Sequence, residues 1–308
     1  MLRRAAHALA ALLICGCLAS SVFSDQIPPF FIDCVVALGR LQAQAPGASP
    51  PQPPIWVTEA SGFFYGVPLD SETDPLKHEY QVYLVTNRHV LASHSQIMVR
   101  LNAQKTSDPV REFVLALKGD RGQDLWFSHP NAAVDVSVLR INGPYLREQG
   151  LQSTFFAADQ HVADKAKIKD IGLAIGNDVF VLGFPMGISG TEQRNYVIAR
   201  HGTIARINDV LDVGGMAFLI DALVFPGNSG GPVVSVPSFT AIQGTKSQDR
   251  AYLIGMVRDY LPYRDVLSSA QTGEARAISE ENSGLAEVIP MDYINETIDA
   301  ERKAAPKQ

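Results

Sequence analysis

Twelve short apolar runs, rich in Val, Ile, Phe and Tyr and separated by turn-forming residues, divide this chain. They are CVVALG, WVTEASGFFYG, YQVYLVTN, SQIMVRL, EFVLAL, VDVSVLRI, DVFVLGFP, NYVIARHGTIARI, GMAFLIDALV, GGPVVSV, AYLIGMV and GLAEVIP. β-Branched and aromatic residues at this density suit half-buried pleated strands, and the punctuation leaves little room for long helices. The pattern predicts an all-β fold, either a sandwich or a pair of barrels. Two segments read as helical: a polar, alanine-rich stretch around 144–168 and MDYINETIDAERKAA near the C-terminus. QAQAPGASPPQPP, at 42–54, cannot be a central strand, because proline lacks an N–H and has a fixed φ. It reads as an exposed loop of polyproline character. The predicted organisation is a first strand group over 25–145, a link over 146–170, a second strand group over 171–290 and a helical tail over 291–308.

The chain of 308 residues carries a formal net charge of −6 and no long basic run, so nucleic acid is not an expected partner. Residues 1–24 read as an export signal: MLRRAAH is basic, ALAALLICGCLA is apolar but too short to span a bilayer, and small residues follow. An exported protein, periplasmic or extracellular, is therefore expected. Ile14-Cys15-Gly16-Cys17 also loosely resembles a lipobox, which would make Cys17 a lipid anchor. Signal removal leaves Cys34 alone, a buried hydrophobe with no disulfide partner in its own chain.

FPGNSGGPVV, at 225–234, contains Gly227-Asn228-Ser229-Gly230-Gly231, a literal G-x-S-x-G. That pattern marks the nucleophile elbow of α/β-hydrolases, where the triad follows the order Ser, acid, His. All seven histidines precede Ser229, and alternating βαβ units are missing, so the α/β-hydrolase reading fails. A serine hydroxyl still needs a base and an orienting acid. The order His, Asp, Ser is available: His89 ends YLVTNRH, and Asp135 heads VDVSVLRI, 46 residues later and 94 before Ser229. His94 reads as a surface residue rather than a metal ligand, since no H-E-x-x-H or cysteine pair accompanies it. His78, His129 and His201 read as solvated.

The segments SGFFYG, VTNRHVL, VDVSVLRI, DVFVLGFPMG, FPGNSGGPVV and SGLAEVIP resemble those of chymotrypsin-fold serine proteases, closest to bacterial trypsin-like and HtrA-type peptidases. The resemblance spans roughly 30–295. It implies two six-stranded antiparallel β-barrels with the active site between them. It implies a serine endopeptidase acting on protein or peptide substrates without cofactor or metal. Ser229 would be the nucleophile, His89 the base, Asp135 its orienting acid, and the backbone N–H groups of Gly227 and Ser229 the oxyanion hole. By the same likeness the residue six before the serine, Leu223, sets the floor of the specificity pocket, with Gly284 and Leu285 on its wall and Arg258 nearby. That set implies cleavage after small or medium aliphatic residues; a shift of one or two positions would bring Asp221 to the floor instead. The chain departs from digestive relatives at Asn228, where they carry an aspartate that pairs with a newly cut N-terminus. Activity is therefore expected without propeptide cleavage. No PDZ module is expected after SGLAEVIP. A non-catalytic binding protein on this fold, or a hydrolase of small esters, remains a competing expectation, and the sequence leaves the oligomeric state open.

Overall fold

The computed structural model describes residues 26–43, 54–69, 74, 77–238 and 243–304. The export signal, Cys17 and nearly all of the proline-rich stretch lie outside the described residues.

The first half is one eight-stranded sheet. Its strands are β1 (Val35–Gln42), β2 (Ile55–Pro68), β3 (Tyr80–Thr86), β4 (Gln96–Leu101), β5 (Arg111–Ala116), β6 (Phe127–Ser128), β7 (Ser137–Ile141) and β8 (Phe156–Ala157). They lie in the order β5-β4-β1-β2-β3-β7-β6, with β8 added parallel to β2. The second half is a closed barrel of β9 (Asp178–Gly183), β10 (Ile198–Arg206), β11 (Phe218–Asp221), β12 (Pro232–Ser235), β13 (Leu253–Ser268) and β14 (Ala275–Pro290), in the order β10-β11-β14-β13-β12-β9. The chymotrypsin-like two-barrel class is therefore present, with differences in the first half. Its sheet has eight strands rather than six, one of them parallel, and among the described residues it curls as a half-barrel without closing. Leu125 N–H bonds Leu117 O at one end, while β5 and the far end of β7 flank an apolar opening floored by Phe64, Val99 and Leu101.

Local chemistry sets the short helices α1 (Pro29–Asp33), α2 (Arg88–Ala92), α3 (Gly143–Glu148), α4 (Lys165–Ile171) and α5 (Asn208–Val213), and the longer α6 (Met291–Ala304). Asn142 and Asp164 each accept a backbone N–H three residues on, capping α3 and α4. Gly172, at φ 73°, closes α4. The stretch 144–168 is not one helix as expected. Phe156 is fully buried, and its burial draws the chain between α3 and α4 into β8. The β13–β14 hairpin also runs far past the strands expected at AYLIGMV and GLAEVIP. Its outer part is solvated on both faces and so carries no apolar alternation, but pairs such as Arg264–Glu280 (3.0 Å) hold the register.

One core joins the halves: Phe63, Tyr65 and Val138 from the sheet pack with Leu182, Val234 and Met256 from the barrel and with Ile294 and Ile298 of α6. Each fully buried side chain of this size contributes about 1.5–3 kcal/mol. Cys34 belongs to this core, fully buried, and its thiol donates to Phe30 O. Burial, aided by the Asp33 charge, holds its thiol well above the usual range. Thermal unfolding should therefore be indifferent to dithiothreitol, and Cys34 should resist alkylation until the chain unfolds. A marked fall in Tm with reductant, or fast alkylation of the native protein, would contradict this.

Candidate active site

β3 carries the chain to the site and stops at Asn87, whose extended backbone starts α2. His89 lies in α2. β7 pairs with β3, Thr86 opposite Ser137, which brings the turn before β7 against α2. Asp135 lies in that turn. Its carboxylate accepts from His89 twice, Oδ2 from Nδ1 at 2.6 Å and Oδ1 from the backbone N–H at 3.0 Å. Asn87 Nδ2 donates to the carbonyl of Asp135 at 2.9 Å. The hydrogen bond that its ring gives to Asp135 raises the pKa of His89, outweighing burial. Burial alone would raise Asp135, but the ring and backbone bonds from His89 and the Arg258 charge outweigh it, so its pKa is lowered.

Ser229 sits in the turn that leads into β12. The turn folds on itself: Asn228 N–H donates to Phe225 O (2.9 Å), Gly231 N–H to Asn228 O (2.8 Å), and Asn228 Oδ1 accepts from Phe225 N–H (3.0 Å). Asn228 is fully buried, its side-chain carbonyl committed inside the turn. Ser61 of β2 ties the turn to the first half. Its N–H donates to Ser229 O (2.9 Å), and its hydroxyl donates to Gly227 O (2.6 Å) while accepting from Phe184 N–H (3.0 Å). Thr86 Oγ1 donates to Ser61 O (2.9 Å). With the Gly227 carbonyl held by Ser61 and that of Pro226 held by Met186 N–H (2.7 Å), the turn is fixed on both sides. The N–H groups of Gly227 and Ser229 donate to no acceptor among the described residues.

Gly227 has φ 101°, and a Cβ there would stand 2.3 Å from Phe184 O. Both facts exclude a side chain. Gly227→Ala should therefore displace this turn. If its N–H is an oxyanion donor, kcat should fall about 10²–10³-fold with KM little changed, as steady-state kinetics would register; a loss confined to KM would count against that role.

His89, Gly227 and Ser229 line one cleft of about 620 Å³, with Thr58, Glu59, His94 and Met186. The ring's Nδ1 is taken by Asp135, which leaves Nε2 for that cleft. Among the described residues Ser229 Oγ has no hydrogen-bond partner. A larger cavity, of about 790 Å³ beside Tyr80, Arg140 and Arg147, shares no residue with this cleft. Leu223, Gly284 and Leu285 do not line the cleft. They sit together where β11 leaves β14: Asp221 pairs with Leu285, Ala222 N–H donates to Gly284 O, and Leu223 is 48% exposed. Asp221 is exposed beside Gly284, and Arg258 pairs with Glu287 at 3.2 Å.

His94 is half-buried in the cleft wall rather than a surface residue, and no group of three metal-ligating side chains exists among the described residues. His129 is not solvated: it is 8% exposed and meets Glu296 of α6 at 3.2 Å. His78 pairs with Asp159 at 2.9 Å, while His201 is exposed and pairs with Asp178. Sequence reasoning missed Ser61, Thr86 and Asn87; their only signal is a small polar residue at the edge of an apolar strand.

The sequence model of the trypsin-like peptidase domain matches residues 60–239. No curated protein matches the chain. Among solved structures, the apo protease domain of MamO from Magnetospirillum magneticum is 16% identical, with TM-score 0.39, covering 87% of this chain and 96% of that one. An inactive mutant form of Rv3671c from M. tuberculosis H37Rv is 16% identical, with TM-score 0.38, covering 91% of this chain and 93% of that one.

Proposed function

This chain belongs to the trypsin-like peptidase domain family, and from that premise we propose that it is a serine endopeptidase working through Ser229, His89 and Asp135. Peptides or proteins are the substrates the family implies. Ser229 Oγ attacks the scissile carbonyl as His89 Nε2 takes its proton. The carbonyl oxygen becomes an oxyanion and accepts from the N–H groups of Gly227 and Ser229. Asp135 holds the Nδ1–H tautomer and stabilises the imidazolium. His89 then gives the proton to the leaving amine, the C–N bond breaks, and an acyl-enzyme on Ser229 remains. Water, deprotonated by His89, adds to that ester; the bond from the acyl carbon to Ser229 Oγ breaks, His89 returns the proton to Oγ, and the acid leaves.

The observation that carries this reading is the cleft itself: a histidine whose Nδ1 is fixed by a half-buried carboxylate lines it together with a serine hydroxyl that has no hydrogen-bond partner among the described residues. Labelling by a fluorophosphonate probe tests it. Wild type should be labelled and Ser229→Ala should not. Absence of labelling in a folded wild type would favour the binding-protein reading. Cleavage of peptides as well as esters would separate the endopeptidase from a small-ester hydrolase. The basic and apolar N-terminus supports export. Asn228, which carries no charge to pair with an N-terminal ammonium, supports activity without a newly cut N-terminus.

Leu223, Gly284 and Leu285 support a preference for Ala, Val or Leu at the cleaved position. Leu223 itself offers a cation no partner, although Asp221 stands exposed beside Gly284. Each fitting methylene is worth about 1–3 kcal/mol, so selectivity should be loose. Profiling with a peptide library checks this; dominant cleavage after Arg or Lys would mean that Asp221 serves the pocket instead.

A further inference from the structure

Met186 is the one non-glycine among the described residues with a left-handed backbone, φ 56° and ψ 25°. Its side chain is more than half exposed, so side-chain packing does not compensate the strain. Such conformations persist only where the surroundings over-determine them. The backbone N–H of Met186 donates to Pro226 O at 2.7 Å. That carbonyl and the Gly227 N–H belong to one planar trans peptide and point in opposite directions. Holding the carbonyl toward Met186 therefore keeps the Gly227 N–H turned away from it, free to donate.

The segment after Met186 belongs to the second half of the chain, yet its polar groups are held by the first. Arg100 of β4 is 5% exposed. Its Nη1 donates to Ser189 Oγ (3.3 Å) and Asn195 Oδ1 (3.0 Å), its Nη2 to Thr191 O (2.7 Å) and its Nε to Glu112 (3.1 Å). Asn195 Nδ2 donates back to Arg100 O at 2.7 Å, and Trp56 lies beside the guanidinium at 5.9 Å. The Asn102 side chain accepts from Asn195 N–H, and Val110 N–H donates to Gln193 O. A rigid fork of donors can grip three acceptors on one loop at once; a lysine ammonium on a flexible stem cannot hold that geometry.

We propose that Arg100 is a positioning residue for the oxyanion hole. By clamping the 188–196 loop to the first sheet, it holds Met186 in its left-handed conformation and thereby fixes the Gly227 N–H as a donor. The proposal rests on the hydrolytic reading above and adds what keeps its donor aimed. In Arg100→Met, kcat should fall about 10- to 100-fold, short of the 10²–10³-fold cost of losing a donor outright, with KM within about two-fold. Arg100→Lys should recover only part of that loss. In a Gly227→Ala background, Arg100→Met should cost little more, because both act on one donor. In ¹⁵N-glycine-labelled protein, the Gly227 amide resonance, assigned by its loss in Gly227→Ala, should shift or broaden in Arg100→Met. If wild type does not hydrolyse substrate, the hydrolytic reading fails, and the amide signal still decides whether Arg100 sets this peptide. An unmoved Gly227 amide, an unchanged kcat in an active enzyme, or full additivity with Gly227→Ala would each overturn the proposal. Should Arg100→Met fail to fold, Asn195→Ala removes two bonds of the same clamp and carries the same comparisons.

Discussion

Replacing His89 or Ser229 with alanine is expected to lower kcat by about 10⁶-fold each, and the double variant should be scarcely worse. The reason is that neither group does chemistry alone. Without a base near its hydroxyl, Ser229 is an alcohol of ordinary reactivity. Without the serine, His89 has no proton to take in the acylation step. The two therefore share one loss rather than adding two. Residual hydrolysis, about 10³–10⁴-fold above water, should survive from the Gly227 and Ser229 N–H groups and from substrate positioning. The geometry supports His89 over His94 as the proposed base. Both line the cleft, but Asp135 bonds His89 at 2.6 Å, and no such acid holds His94 among the described residues. Steady-state kinetics of the two single variants and the double variant on one peptide substrate are the check. Additive losses, or a Ser229→Ala variant with near-native kcat, would remove the triad. If His94→Ala abolished activity while His89→Ala did not, the base would be misassigned.

The all-β class was legible because strand formation is local: β-branched runs and turn residues announce themselves within a few positions, whereas the choice of two barrels over a sandwich rested on the resemblance of whole segments to chymotrypsin-fold proteases. The open seam of the first sheet was not, since closure depends on how far β5 stands from β7, a distance no local pattern encodes. The outer β13–β14 hairpin was hidden for the opposite reason: with water on both faces it needs no hydrophobic alternation. At the site, His89, Asp135 and Ser229 stood out because each sits in a recognisable local phrase. Ser61 did not, although its hydroxyl bonds Gly227 of the serine turn from 166 residues away. Arg100 is similar; it reads as one charge in an apolar run, SQIMVRL, and only the fold brings Ser189, Thr191 and Asn195 around it. Contacts of this separation carry no signature in one sequence.

Asp135→Asn should cost about 10⁴-fold in kcat while leaving the fold intact. The amide can donate to Nδ1 where the carboxylate accepted, which favours the Nε2–H tautomer, and that nitrogen then cannot take the serine proton. The pH profile should move as well. Asp135 raises the pKa of His89 above its ordinary value near 6.5, so wild-type kcat/KM should climb with pH through a midpoint above that value, as the base loses its proton. In Asp135→Asn the chief raising contact is gone, burial is left to lower the ring's pKa, and the acid limb should shift to lower pH even as the plateau falls. Stability should follow the same pair with a definite sign. The raised His89 contributes stability that is complete below its unfolded pKa and lost as pH rises through its folded one. The lowered Asp135 contributes stability that is present above its unfolded pKa and lost as pH falls through its folded one. The difference in Tm between wild type and Asp135→Asn should therefore be largest between about pH 4 and 6.5 and shrink on either side. An acid limb that stays in place, or a Tm difference that grows above neutrality, would show that Asp135 does not act on the protonation of His89.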